Sequence, residues 1–306
     1  MAARRAPLGH DESVTSPLVP AVTAWFDRHG RDLPWRDGAS PWGVLVSEVM
    51  LQQTPVSRVE PAWREWMSRW PEPADLAAAP TDEVLRAWGR LGYPRRALRL
   101  RECAAAVEAR HGGRVPEDEA ALLALPGVGE YTAAAVMAFA FGRRSVVLDT
   151  NVRRVLARAV AGTALPPPSI TRAERDLAAS LVPEDEAAAA RWAVASMELG
   201  ALVCTARSPR CEECPVAARC AWRAAGYPAD AHSARRRSQA WHGTDRQVRG
   251  RVMALLREAP GPVPLEVVET LDVPREQLHR CLDGLLADGL AVLDDTVDPP
   301  FLALPG

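Results

Sequence analysis

Four cysteines, Cys204, Cys211, Cys214 and Cys220, lie within 17 residues at a 6-2-5 spacing. Four thiolates so close in sequence can enclose one metal centre, and three chemistries are open to them: tetrahedral zinc, a [4Fe–4S] cluster or two disulfides. Disulfides belong to oxidising compartments, and nothing marks this chain for one. Structural zinc usually takes two C-x2-C pairs, whereas only Cys211 and Cys214 have that spacing here. Cys103 and Cys281 stand alone at helical positions and read as buried apolar thiols.

A second segment, Leu125-Pro-Gly-Val-Gly-Glu-Tyr-Thr132, separates two helical stretches. Gly127 and Gly129, on either side of Val128, can take positive φ and leave amides free to approach a phosphate at the start of the next helix. An ordinary corner between helices would carry the same glycines. A dinucleotide fingerprint would need a preceding strand and a third glycine. All 37 basic residues are arginine. No lysine amine can therefore act as a nucleophile or form a Schiff base, while guanidinium groups fit phosphate oxygens bidentately.

Three further motifs complete the set: Ser47-Glu-Val-Met-Leu-Gln-Gln-Thr54, Leu91-Gly-Tyr93 and Val147-Leu-Asp-Thr-Asn-Val152. In order and spacing the five resemble the helix-hairpin-helix DNA glycosylases of the endonuclease III superfamily, and within them the MutY family, which removes adenine mispaired with 8-oxoguanine. The resemblance covers roughly residues 17–225. It implies a mainly α fold of two helical lobes with a cleft, and a [4Fe–4S] cluster on Cys204, Cys211, Cys214 and Cys220, because the 6-2-5 spacing is the one such enzymes use. It makes Glu48 the catalytic acid, Asp149 the carboxylate that stabilises the sugar cation, and Tyr131 and Asn151 hydrogen-bonding partners around the acid and the flipped nucleotide. Gln53 and Tyr93 would fill the gap left by the flipped base, with Thr54 and Leu91 beside the opposite base and Arg36 near the adenine pocket. Leu51, Gln52, Gly92, Gly127, Val128 and Gly129 complete the implied DNA-binding set.

The chemistry agrees with these assignments. Adenine leaves poorly as an anion, and a proton on N7 makes it a neutral leaving group. A helical glutamate surrounded by Val46, Val49, Met50 and Leu51 is expected to be desolvated, which favours the protonated form. Asp149 precedes a helix, where it can cap the N-terminus and offer an ionised carboxylate to a developing cation. Tyr131 stands where bifunctional relatives place a lysine, so the expected enzyme is monofunctional. The ten tryptophans, mostly at helical spacing, are expected to pack in cores or grooves. The chain departs from the family at Pro94, where many relatives repeat tyrosine, and at Val194, where a polar or acidic side chain is usual. Bacterial relatives commonly add a long Nudix-like domain that reads 8-oxoguanine; only about 65 residues follow the linker here, without a Phe-Ser-His motif, and they are not expected to form one.

The elements that must position these residues are helical from Pro17 to about Ala201, with about ten segments broken at Gly, Pro and Asp. The expected organisation is a loose tail over 1–15, a glycosylase core over 16–225 with its iron–sulfur loop at 204–220, an arginine-rich linker over 226–243, and a winged-helix-like α+β module over 244–306. Of 306 residues, 48% are hydrophobic and 25% charged, with no apolar run long enough for a membrane span and no secretory signal, so a bacterial cytoplasm is expected. Net charge is −2, but residues 231–251 carry +5 and residues 258–306 carry −8, so nucleic-acid contact must come from patches. The acidic module is expected to stay off phosphates and to rest against the glycosylase body or a protein partner. The expected substrate is duplex DNA with A:8-oxoguanine or A:G mispairs, bound by a monomer. A thymine or uracil mismatch glycosylase of the same fold, and a catalytically silent iron–sulfur DNA-binding protein, are the competing readings.

Overall fold

The computed structural model describes residues 16–235 and 242–306. The tail 1–15, and Arg236 and Arg237 of the linker, lie outside the described residues. Among the described residues, Leu18–Leu202 forms eleven α-helices. Sequence periodicity undercounts them because Pro73–Ala78 and Glu119–Leu123 are too short to show a period. The breaks fall at the expected Pro and Gly positions, as where Gly112, at φ 59°, ends the long helix Arg95–His111 in the left-handed region. None of the described helices is long and apolar enough to cross a membrane.

The chain forms two compact units that do not follow sequence order. One comprises the described residues of 1–31 together with those of 142–236, and its core joins helices Leu18–His29, Thr150–Ala159 and Glu186–Leu202 through Val22, Trp25, Val155, Trp192 and Leu199. Just past the first of these helices, Arg31 donates through its backbone amide, Nε and Nη2 to the buried carboxylate of Glu198, 2.7–3.0 Å away. Val194 is a partly buried member of this core.

The other unit comprises Asp32–Phe141 together with Arg237–Gly306. Its centre holds Trp66, which meets Trp70 and Trp88 edge-on at centroid distances of 4.9 and 5.4 Å. Each such pair is worth about 0.5–1.5 kcal/mol beyond its buried area, and these three tryptophans serve the core as expected; Trp241 lies outside the described residues. The C-terminal stretch has the α+β content expected of it, with helices Asp245–Glu258, Leu265–Glu269 and Arg275–Ala287. Its sheet has three antiparallel strands, with Phe301–Ala303 between Val263–Pro264 and Val292–Asp294. The first strand is two residues long and ends in proline, so no alternation marks it in the sequence. Val248, Val252 and Leu256 join the same core as Val84, Leu85 and Trp88. The segment that the sequence sets apart therefore shares its apolar interior with 32–141.

Candidate functional site

In the unit containing Asp32–Phe141, Glu48 sits on helix Pro41–Leu51. Ser40 caps that helix by accepting from the Gly43 amide, and Pro41 takes its first position, where no amide is needed. Leu45, Val46, Val49 and Met50 are buried, which holds the helix deep in the unit and leaves Glu48 only 4% exposed. Tyr131, in the first turn of helix Glu130–Phe141, donates its hydroxyl to Glu48 Oε2 at 2.8 Å. The two residues are 83 positions apart, and this bond fixes the orientation of a buried carboxyl. Arg36 lies half-buried in the turn before this helix, its amide donating to Leu33 O at 2.9 Å.

The end of the Glu48 helix and the loop before Arg95–His111 are tied together. Thr54 Oγ1 donates to Leu91 O at 3.0 Å. Arg96 does the rest: Nη1 reaches the carbonyls of Val49 at 2.8 Å and Gln52 at 2.7 Å, and Nη2 reaches Thr54 Oγ1, Leu91 O and Gly92 O at 3.0–3.1 Å. Burial lowers this guanidinium to about 10, so it stays charged at neutral pH. Between these anchors Gln53 and Tyr93 have φ of 58° and 48°, a left-handed conformation that costs a side-chain-bearing residue energy and persists only where the surroundings enforce it. Tyr93 is 41% exposed, directly before Pro94. Leu51 and Gln52, both half-buried, immediately precede Gln53 at the helix end. Nothing in the sequence singles out Arg96 among 37 arginines.

In the glycine turn, Gly127 has φ 77°, and a Cβ there would stand 3.1 Å from Arg99 Cβ. Gly129 differs from expectation: its φ is not positive, and nothing lies within 4 Å of a Cβ built on it. Its carbonyl instead accepts from the Ala133 amide at the start of the next helix, while Val128 is buried. One residue of reversal is enough for this turn.

In the other unit, Asp149 caps helix Thr150–Ala159, accepting from the Val152 amide at 2.6 Å and from Asn151 Nδ2 at 2.7 Å. Burial pushes its carboxyl above the ordinary range, opposed by those bonds and by the Arg154 charge. Arg154 holds Asn151 in turn: its Nη2 donates to Asn151 Oδ1 and Gly200 O, both at 2.7 Å, and its Nε to Cys204 O at 2.5 Å. Gly200 is required here, since a Cβ would lie 2.7 Å from Asn151 Cβ and O. Sequence reading finds Asp149 and Asn151 but not Arg154 or Gly200, whose signal is a close helix approach rather than a motif.

The four cysteines of 204–220 line one cavity whose walls include Leu199, Val203, Val216 and Trp222. All four are free thiols, which removes the disulfide alternative. Four cysteines lining one apolar cavity fit the four thiolate ligands of an iron–sulfur cluster. Burial raises Cys204 and takes Cys214 to about 11, so thiolates here need compensating positive charge. Arg158 contributes some, with Nη1 3.5 Å from Cys204 Sγ, and it also donates to Thr205 O and Ala206 O. A bound cluster would cross-link the loop through its four thiolates. The purified protein is expected to be yellow-brown, absorbing broadly near roughly 400 nm, with about four irons per chain. One zinc without iron or sulfide in anaerobically prepared protein would overturn this.

Comparison with known proteins adds to this geometry. Residues 46–180 match the HhH-GPD superfamily of base excision DNA repair proteins, and residues 204–220 match the iron-sulfur binding domain of endonuclease III. The adenine DNA glycosylase of Mycobacterium tuberculosis is 53% identical over 304 residues, covering 97% of each chain. The structure of a thermostable thymine-DNA glycosylase aligns with a TM-score of 0.60 at 31% identity, over 67% of this chain and 94% of its own. Endonuclease III trapped covalently on DNA, in an estranged-adenine complex, aligns with a TM-score of 0.59 at 23% identity, over 69% and 96% respectively, a likeness of fold.

Proposed function

This chain belongs to the adenine DNA glycosylase family of base excision repair, and on that premise we propose that it hydrolyses the N-glycosidic bond of adenine mispaired with 8-oxoguanine or guanine and leaves the abasic strand uncut. The observation that carries the reading is the buried Glu48 carboxyl held by the Tyr131 hydroxyl. Glu48 gives its proton to adenine N7. The C1′–N9 bond breaks with its electron pair moving to the base, which departs neutral, and the sugar is left cationic. The Asp149 carboxylate, kept available by the Val152 amide and Asn151, stabilises that cation. Water adds at C1′ and gives up a proton, and reprotonation of Glu48 completes the cycle. The protein acts on duplex DNA as a monomer, and the flipped base leaves a gap that Gln53 and Tyr93 fill; unstacking costs on the order of a few kcal/mol.

The absence of lysine supports the monofunctional part. Duplexes bearing A, T or U opposite G or 8-oxoguanine, resolved on gels before and after alkali, test both parts. Adenine is expected to be released, with strand cleavage only after alkali and almost no adduct trapped by borohydride. Preferential release of thymine or uracil would overturn the substrate. Efficient trapping would require the N-terminal amine and would overturn the uncut strand.

A further inference from the structure

A cleft of about 1040 Å³ lies between helix Asp245–Glu258 and the loop that carries Tyr93, with Gln53 also in its lining. Seven arginines line it against a single carboxylate, Asp288. Of the ten acids that make residues 258–306 negative, no other lines the cleft. Asp288 is itself taken up by two of the arginines, by Arg95 at 3.1 Å and by Arg249. Gly284 makes room for the second of these, since a Cβ there would collide with the Arg249 guanidinium. Arg90 is also met by Glu258, at 3.7 Å. Four of the seven arginines, Arg246, Arg249, Arg251 and Arg257, come from helix Asp245–Glu258 and precede the acidic stretch, so the cleft keeps an excess of positive charge.

The cleft is also held in shape. Arg86 Nη1 donates to the carbonyls of Arg257 and Ala259 at 2.5 and 2.7 Å, fastening the end of helix Asp245–Glu258 to helix Thr81–Trp88. At the other end the Arg246 guanidinium lies 4.5 Å from the centre of the Tyr93 ring. Arg58 and Arg246, both exposed, present charge from opposite walls. A positively charged, walled groove with an aromatic side chain at left-handed φ beside it has the features that track a nucleic-acid backbone.

We propose that this cleft binds the sugar–phosphate backbone of duplex DNA beside the base pair that Gln53 and Tyr93 enter, which makes the C-terminal segment part of the DNA-binding surface. The assignment rests on the reading of Gln53 and Tyr93 given above. It differs from ordinary winged-helix binding, because helix Arg275–Ala287, with Glu276 and Asp283, contributes only Leu285 to the cleft. It places the contact on the positively charged stretch that includes Arg246, Arg249 and Arg251 rather than on the acidic residues 258–306.

The test is the affinity of the full chain for undamaged duplex, measured across salt concentrations, with Arg58→Ala/Arg246→Ala beside wild type. Loss of two phosphate contacts is expected to lower the slope of log K against log salt by about 1.8 and to weaken binding at least about tenfold near physiological salt. The control is Arg64→Ala/Arg69→Ala, an exposed pair on helix Val56–Arg69 that removes the same charge away from the cleft. Unchanged slope in the cleft variant, or an equal fall in both variants, would overturn the proposal. A loss confined to mispaired duplex would also overturn it, because the cleft would then read a base rather than the backbone. Binding to undamaged duplex needs no excision, so a wild-type protein that fails to release adenine counts against the function and leaves this test intact.

Discussion

Glu48→Gln is expected to lower single-turnover adenine excision by about 10²–10⁴-fold, the range lost when a positioned general acid is removed, while affinity for duplex DNA is retained. Glutamine keeps the length and shape of the side chain, and its amide oxygen can still accept from the Tyr131 hydroxyl that now bonds Glu48 Oε2. What it lacks is a proton to give. Because Glu48 is enclosed by Val49, Met50 and the rest of helix Pro41–Leu51, water has little access to supply that proton in its place. Excision by the variant near the wild-type rate would remove Glu48 from the mechanism.

Asp149→Asn is expected to cost about 10²–10³-fold in the same assay, by the loss of a fixed charge at the developing cation. Its effect on stability should depend on pH. Burial raises the Asp149 carboxyl above its ordinary range, so the ionised form subtracts stability at every pH above the folded value. That penalty is absent where both folded and unfolded carboxyls are protonated, and it grows as pH rises from the unfolded value through the folded one. Asparagine removes the penalty and still accepts from the Val152 amide as the helix cap, but its nitrogen cannot accept the bond that Asn151 Nδ2 gives the second carboxylate oxygen. The melting temperature of the variant relative to wild type should therefore rise as the buffer is taken from acidic to neutral pH. In wild type, excision should fall on the acid side at a higher pH than an ordinary carboxylate would dictate, and this limb should vanish in the variant. A variant whose melting temperature falls relative to wild type over that range would show a carboxylate that holds the helix rather than one held there for chemistry.

What could be read from the sequence was what neighbouring residues encode. The cysteine spacing, the cap position of Asp149, the helix breaks at Gly and Pro, and the apolar shell of Glu48 are all local patterns, and the helical architecture follows from them. The bond from Tyr131 to Glu48 joins residues 83 apart; motif resemblance named both partners, but no spacing rule gives the contact. Arg96 was invisible because its role depends on carbonyls at Val49, Gln52, Leu91 and Gly92 arriving at one place. Gly200 was equally silent, since a helical glycine looks like a weakness until the neighbouring helix is seen pressing on it. The charge of 258–306 says little about the cleft for a related reason: Arg246, Arg249, Arg251 and Arg257, which line it, lie before that stretch and only the fold sets them opposite Tyr93.

The order in which the chain leaves the ribosome sets a timing problem for the unit built on Leu18–His29. That helix is made first, yet its buried face, with Val22, Trp25 and Phe26, is covered in company with Trp192 and Leu199 of Glu186–Leu202, and Arg31 waits 167 residues for Glu198. At bacterial and eukaryotic synthesis speeds of about 5–20 residues per second, the delay is roughly ten to thirty seconds. Through that interval an amphipathic helix carrying aromatic side chains has no partner, while 32–141 collapses around its tryptophans. The helix made early thus keeps its apolar face uncovered until Glu186–Leu202 follows, whereas the other unit starts to collapse at once and is completed only by its C-terminal helices.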